Sequence, residues 1–188
     1  MNVVETRIPG VIVIEPKVWG DERGYFFESY RSNRYVELGV PAHLVQDNQS
    51  MSRRGVLRGL HIQHPFSQGK LVQVIAGEVF DVAVDLRRGS PSYAQWVGVT
   101  LSGQSKRQLW VPPGLAHGFL VTSETAVFAY KCSDYYHPET EFSVRWDDPA
   151  IGIDWPLDGR PELSAKDRDA LSLADIDESR LPTIEDYP

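Results

Sequence analysis

Lys70-Leu71-Val72-Gln73-Val74-Ile75-Ala76-Gly77-Glu78-Val79-Phe80-Asp81-Val82-Ala83-Val84-Asp85-Leu86 reads as two β-strands joined by a tight turn. Phe80, Val82, Val84 and Leu86 alternate with Val79, Asp81, Ala83 and Asp85, the period of two that gives a strand two different faces. The strand before them covers residues 70–75 and stops at Gly77-Glu78. Outward from this pair the signal recurs at residues 11–14, 57–63, 95–101, 108–111, 118–121, 126–131 and 142–146. Turn residues punctuate it: Arg88-Gly89-Ser90-Pro91, Leu101-Ser102-Gly103, Pro112-Pro113-Gly114 and Tyr136-His137-Pro138. Many short strands at regular spacing predict an all-β sandwich or barrel. Helical signals are few. Residues 33–38 end at Gly39, and residues 164–171 start with Ser164 as N-cap and Asp167 at the third helical position. From Ala174 onward the chain is acidic and poor in β-branched runs, and is expected to pack loosely or form a surface helix. No repeat or linker divides the chain, so residues 1–188 are expected to be one domain with 172–188 as a C-terminal tail.

The bulk numbers narrow the function. Lys+Arg number 19 and Asp+Glu 26, a formal charge of −7. That balance argues against nucleic-acid binding, which leaves a basic footprint, yet allows a small basic pocket for a phosphorylated ligand. A hydrophobic fraction of 41% and an aromatic fraction of 11% supply a sizeable core. Cys132 is the single cysteine and cannot form an internal disulfide, which fits a cytoplasmic location. No signal peptide and no membrane-spanning helix are expected from the apolar runs.

The stretch from Gly55 through Leu57-Arg58-Gly59-Leu60-His61-Ile62-Gln63 and Gln68-Gly69-Lys70 to Gly77, with Pro112-Pro113-Gly114-Leu115-Ala116-His117 further on, resembles the two half-motifs of the cupins. The resemblance implies a cupin-like jelly-roll barrel of antiparallel strands, with a few short helices mainly near the C-terminus. In that register a metal-binding cupin has a second histidine at Gln63 and a glutamate at Lys70. Two imidazoles beside an ammonium make a poor divalent-metal site, because the cation is repelled and the protonated Lys has no lone pair. No metal is therefore expected.

Read locally, the chemistry-bearing residues leave alternatives open. Strict alternation puts Leu57, Gly59, His61 and Gln63 on one strand face, and Arg58, Leu60 and Ile62 on the other. His61 and Gln63 then point into a pocket and Arg58 acts at its rim, though a core histidine held by hydrogen bonds fits that segment equally well. Lys70 is either a surface lysine or an interior one, and the cupin register favours the interior. Phe128 and Tyr130 share a face, so Tyr130 either offers a phenol to the pocket or lies at a sheet edge.

A longer ordered set of motifs resembles the dTDP-4-dehydrorhamnose 3,5-epimerase family. It includes Gly20-Asp21-Glu22-Arg23-Gly24-Tyr25-Phe26-Phe27-Glu28-Ser29-Tyr30, Val45-Gln46-Asp47-Asn48, Leu57-Arg58-Gly59-Leu60-His61 and Gln68-Gly69-Lys70-Leu71-Val72. Lys106-Arg107-Gln108-Leu109-Trp110, Ala116-His117-Gly118-Phe119, Tyr130-Lys131 with Asp134-Tyr135-Tyr136, and Leu163-Ser164-Ala165-Lys166-Asp167 continue it. The resemblance implies a dTDP-linked 4-keto-6-deoxyhexose substrate, epimerised without a cofactor at the two carbons flanking the ketone on the way to dTDP-L-rhamnose. It implies His61 as base, Asp167 as the group that holds its ring, Tyr130 as the acid across the sugar and Lys70 as the cation at the enolate. It implies phosphate binding by Arg23 and Arg58, and nucleotide binding by Gln46, Asn48, Glu28, Glu141 and Lys166. His117 would lie near the sugar or phosphate. Tyr136, and Phe26 or Phe27 from a second subunit, would stack on thymine in a homodimer. Ile62, the loop His64-Pro65-Phe66 and Cys132-Ser133 depart from the family's usual residues. An epimerase inverting a single carbon, a metal-dependent cupin oxygenase and a non-catalytic sugar-nucleotide binder are the competing readings.

Overall fold

The structure is a computed structural model that describes residues 1–188. Its strands are β1 (Asn2–Glu5), β2 (Ile12–Glu15), β3 (Val18–Asp21), β4 (Gly24–Phe27), β5 (Gln46–Arg53), β6 (Leu57–Gln63) and β7 (Lys70–Ala76). They continue as β8 (Glu78–Asp85), β9 (Trp96–Ser102), β10 (Gln108–Val111), β11 (Leu115–Val121), β12 (Thr125–Cys132) and β13 (Glu141–Ser143). Two short helices, α1 (Ser32–Val36) and α2 (Ala165–Arg168), join them. One sheet has the order β1-β2-β10-β7-β12-β5 and a second has β13-β6-β11-β8-β9, while β3 and β4 form a separate hairpin. No helix is long and apolar enough to cross a membrane.

The alternation seen in the sequence sorts side chains into layers. Val72 and Val74 of β7, Val79 and Ala83 of β8, and Phe119 and Phe128 fill the space between the sheets. Val82 and Val84 of β8 point the other way, onto the outer face of the five-stranded sheet, with Leu57, Leu60 and Ile62. That outer face is apolar and must be covered. The cover comes from Trp155 and from the last part of the chain. Leu173, Ile176 and Leu181 are buried there, and 3-10 turns span Leu173–Asp175 and Glu178–Arg180. The expected loose tail is therefore a docked one, because its spaced apolar residues fill the sheet's open face. Tyr35 of α1 and Val40 cover the six-stranded sheet in the same way, over Ile14, Leu71 and Trp110.

Strand β6 departs from strict alternation. His117 pairs with His61 but Phe119 pairs with Arg58, so β6 carries one extra residue opposite Gly118. Gly59 sits in this bulge at φ +119°, and a Cβ there would lie 2.6 Å from Gly118 Cα. Leu57 accordingly faces the outer apolar layer with Leu60 and Ile62. Arg58 faces the same cavity as His61, not the opposite side. The assignment of faces by simple alternation fails here because the bulge shifts the phase by one residue.

Candidate active site

Strands β5, β6, β7 and β12 open onto a cavity of about 350 Å³ lined by Gln46, Asn48, His61, Gln68, Lys70, Tyr130, Tyr136, Glu141 and Lys166. A neighbouring cavity of about 480 Å³ shares His61 and Lys166 and adds Ser52, Arg58, Ser164 and Asp167. His61 thus stands where the two meet. The structure gathers the expected His61, Lys70, Tyr130, Gln46, Asn48, Tyr136, Glu141 and Lys166 around one space, and places Arg58 and Asp167 beside it.

His61 Nε2 lies 2.5 Å from Asp167 Oδ1. A carboxylate only accepts, so Nε2 carries the hydrogen and the lone pair is left on Nδ1. Asp167 is itself held fast. Ser164 Oγ donates to its Oδ2 at 2.8 Å, while its own N–H donates to Ser164 Oγ at 3.1 Å as the N-cap bond of α2. Burial alone would raise the Asp167 carboxyl. The hydrogen bonds from His61, Ser164 and the Gly59 N–H, with the charge of the imidazole, override burial and hold it below the usual aspartate value. It stays an anion, ready to stabilise an imidazolium.

Lys70 begins β7, and its side chain has no hydrogen-bonding partner in the chain. Burial pushes its ammonium below the ordinary lysine value, against the opposing pull of Cys132, Glu141 and Asp81. Tyr130 is also unpartnered, and burial raises its phenol above the ordinary value, so it remains protonated. Arg58 Nε and Nη2 donate to the neutral Ser52 Oγ at 3.2 and 3.0 Å, leaving the guanidinium charge uncompensated by a carboxylate. By contrast, Lys166 is paired with Glu141, which also accepts from Tyr136 Oη at 2.8 Å. In a chain of charge −7, two basic side chains without a carboxylate partner, Lys70 on one cavity and Arg58 on the adjoining one, mark a place for an anion.

The other expected residues lie elsewhere. His117 is buried next to His61 across β6 and β11, and its Nε2 meets Asp81 Oδ1 at 2.9 Å. Gln63, expected to point into the pocket, instead ties loops together. Its Nε2 donates to Phe66 O and Tyr135 O at 2.8 and 3.2 Å, and its Oε1 accepts from His137 N at 3.0 Å. Arg23 is exposed on the β3–β4 turn with Asp21 as partner, and Glu28 is paired with Arg34 at 3.0 Å. Phe26 is 70% exposed on the hairpin, and Phe27 is half-buried. None of these four reaches the cavity of its own chain. Ser52 and Gln68 line the two cavities without having been singled out. Ser52 is visible in retrospect as the last member of the polar period Gln46, Asn48, Ser50, Ser52 along β5.

A base held by a carboxylate, a phenol and a free ammonium around one cavity fit proton abstraction next to a carbonyl. Comparison with known proteins agrees. The sequence profile described as dTDP-4-dehydrorhamnose 3,5-epimerase matches residues 5–175. The chain is 57% identical over 175 residues to the dTDP-4-dehydrorhamnose 3,5-epimerase of Salmonella typhimurium, covering 92% of this chain and 96% of that one. It is 45% identical over 186 residues to a dTDP-4-dehydrorhamnose 3-epimerase of Streptomyces niveus, covering 97% and 89%. Its fold superimposes on the crystal structure of the dTDP-6-deoxy-D-glucose-3,5-epimerase of Legionella pneumophila in complex with dTDP-4-keto-L-rhamnose. The TM-score is 0.95 and the identity 58%, with 97% of each chain covered. A match of this extent, over most of the chain in both sequence and fold, means that the protein belongs to the dTDP-4-dehydrorhamnose 3,5-epimerase family.

Proposed function

We propose that the chain converts dTDP-4-dehydro-6-deoxy-D-glucose to dTDP-4-dehydro-L-rhamnose by inverting C5 and C3. The observation that carries this reading is the placement of His61, Lys70 and Tyr130 around one cavity, with Lys70 and Tyr130 free of partners. The protons at C3 and C5 are α to the C4 ketone. His61 Nδ1 removes one, and the C–H electron pair moves into the C4 carbonyl to leave an enolate. The Lys70 ammonium stabilises the oxygen that takes up the charge. Tyr130 returns a proton to the opposite face of the same carbon. The tyrosinate then regains a proton and the imidazolium loses one, directly or through solvent, before the second carbon reacts. Arg58 holds the diphosphate, and Gln46, Asn48, Tyr136, Glu141 and Lys166 hold the nucleotide.

Tyr130→Phe separates the two halves of the exchange. Deuterium from heavy water should still enter at the His61 face, while inverted product falls by ~10²-fold or more. Carbon-resolved NMR of the sugar checks both. Full inversion in this variant would remove Tyr130 from the acid's role. In the wild type, label confined to C3 would favour the single inversion named for the Streptomyces niveus relative. The higher identity to double epimerases supports two.

Homodimerisation is part of this proposal. The β3–β4 hairpin pairs with no other strand and exposes Trp19, Tyr25 and Phe26 by 47%, 61% and 70%. An exposed cluster of rings on an unpaired hairpin is suited to contact with a partner. In a dimer it would carry Arg23, Phe26 and Phe27 toward the neighbour's cavity, with Glu28 following. A Trp19→Ser, Phe26→Ser variant should sediment as a monomer and show a raised KM. A wild type that sediments as a monomer at micromolar concentration would defeat the idea. A cytoplasmic location completes the reading, supported by the free Cys132.

A further inference from the structure

The family match ends at residue 175, yet residues beyond it reach the segment that leads into Lys70. Tyr187 Oη accepts from the Ser67 N–H at 3.1 Å. Its ring meets His64 edge-on with centroids 5.8 Å apart, and its carbonyl accepts from Arg87 Nη1 at 2.9 Å. The segment is anchored just before this point. Arg88 N donates to Pro182 O at 2.8 Å, and Ile184 N donates to Arg88 O at 3.0 Å.

Ser67 begins the three-residue approach to Lys70, and each residue of it is tethered. Ser67 Oγ accepts from Gly114 N at 2.7 Å, Gln68 Nε2 donates to Asp134 O at 2.9 Å, and Gly69 N donates to Ser133 Oγ at 2.8 Å. Gly69 admits no side chain, because a Cβ would lie 2.4 Å from the Trp110 ring. Gln68 and Lys70 both line the cavity. Lys70 Nζ has no partner that could aim it, so its position is inherited from the backbone at the start of β7. Ser67 is buried, and without Tyr187 Oη its N–H would lose its acceptor where water has little access.

We infer that Tyr187 is a positioning residue for the epimerase reaction: through Ser67 it fixes the wall that presents Gln68 and Lys70 to the substrate. The inference rests on the proposed role of Lys70 at the enolate oxygen. It gives the segment 182–188 a task in catalysis in addition to its packing.

Tyr187→Phe tests this by removing the acceptor and keeping the ring. Its kcat should fall by about tenfold, since small misplacements of a reacting group are costly even when they originate far from the chemistry. The alkaline limb of its kcat/KM profile should move up in pH, because a loosened wall admits water to the ammonium. Both changes should appear at temperatures well below the thermal midpoint. Tyr187→Ala should show the same changes, enlarged; if it fails to fold, the phenylalanine variant still decides. A Tyr187→Phe enzyme with wild-type kcat and an unmoved alkaline limb overturns the inference, whatever its thermal stability. Failure of the underlying reading shows elsewhere, as full activity in Lys70→Met.

Discussion

Replacing His61 with alanine should lower kcat by ~10²–10⁴-fold, the range lost when a positioned general base is removed. Deuterium incorporation from heavy water should stop at C3 and C5 together. The expectation follows from geometry. His61 is the one imidazole placed between the two cavities, and Asp167 fixes which nitrogen carries its hydrogen. The neighbouring His117 cannot readily stand in. It is buried with its Nε2 committed to Asp81, and it borders neither cavity. In the proposed mechanism one base serves both carbons, so the loss should be equal at each. Wild-type exchange at either carbon in His61→Ala would sink the assignment of His61 as the single base.

Lys70→Met should cost about 10²–10³-fold in kcat, the scale of losing one donor to a developing oxyanion. Methionine has similar length and no charge, so the wall is kept and the electrostatics removed. The pH dependence gives a second signature. Burial lowers the lysine's pKa, so the ammonium is present below that shifted value and lost as pH rises through it. The wild-type profile should therefore fall on its alkaline side below the ordinary lysine value of 10.5. In Lys70→Met that limb should vanish while the substrate's KM changes little. A variant with undiminished kcat would leave the enolate without its proposed partner.

Much of this site was legible along the chain, and the gaps have physical causes. Period-two alternation located β7, β8, β10 and β12 because both sheets bury one face against the other. It missed β5, whose sequence QDNQSMSR has no β-branched residue. That strand exists by pairing with β12, and its inward face is polar because it lines the cavity. The same rule misplaced Arg58, since a bulge leaves no periodic trace. The N-cap at Ser164 was readable from local chemistry, but α2 is shorter than expected and spans Ala165–Arg168. That Asp167 reaches His61 from 106 residues further along the sequence is a property of the assembled layers. The tail reads as loosely packed or as a surface helix because it is acidic and its apolar residues form no run. Their burial depends on a sheet face formed by distant residues.

The bulge at Gly59 has one more implication. Arg58 and His61 sit on a single strand, and the inserted residue sets how far apart they stand and that they look the same way. If Arg58 grips the diphosphate, β6 acts as a ruler whose marks are peptide bonds. One mark locates the charge of the sugar's attached nucleotide, and another locates the atom that takes the proton. A sugar without its diphosphate would have no fixed point from which to be measured. Discrimination in favour of nucleotide-linked hexoses would then reside in the spacing that the backbone sets between these two side chains, as well as in the Arg58 charge itself.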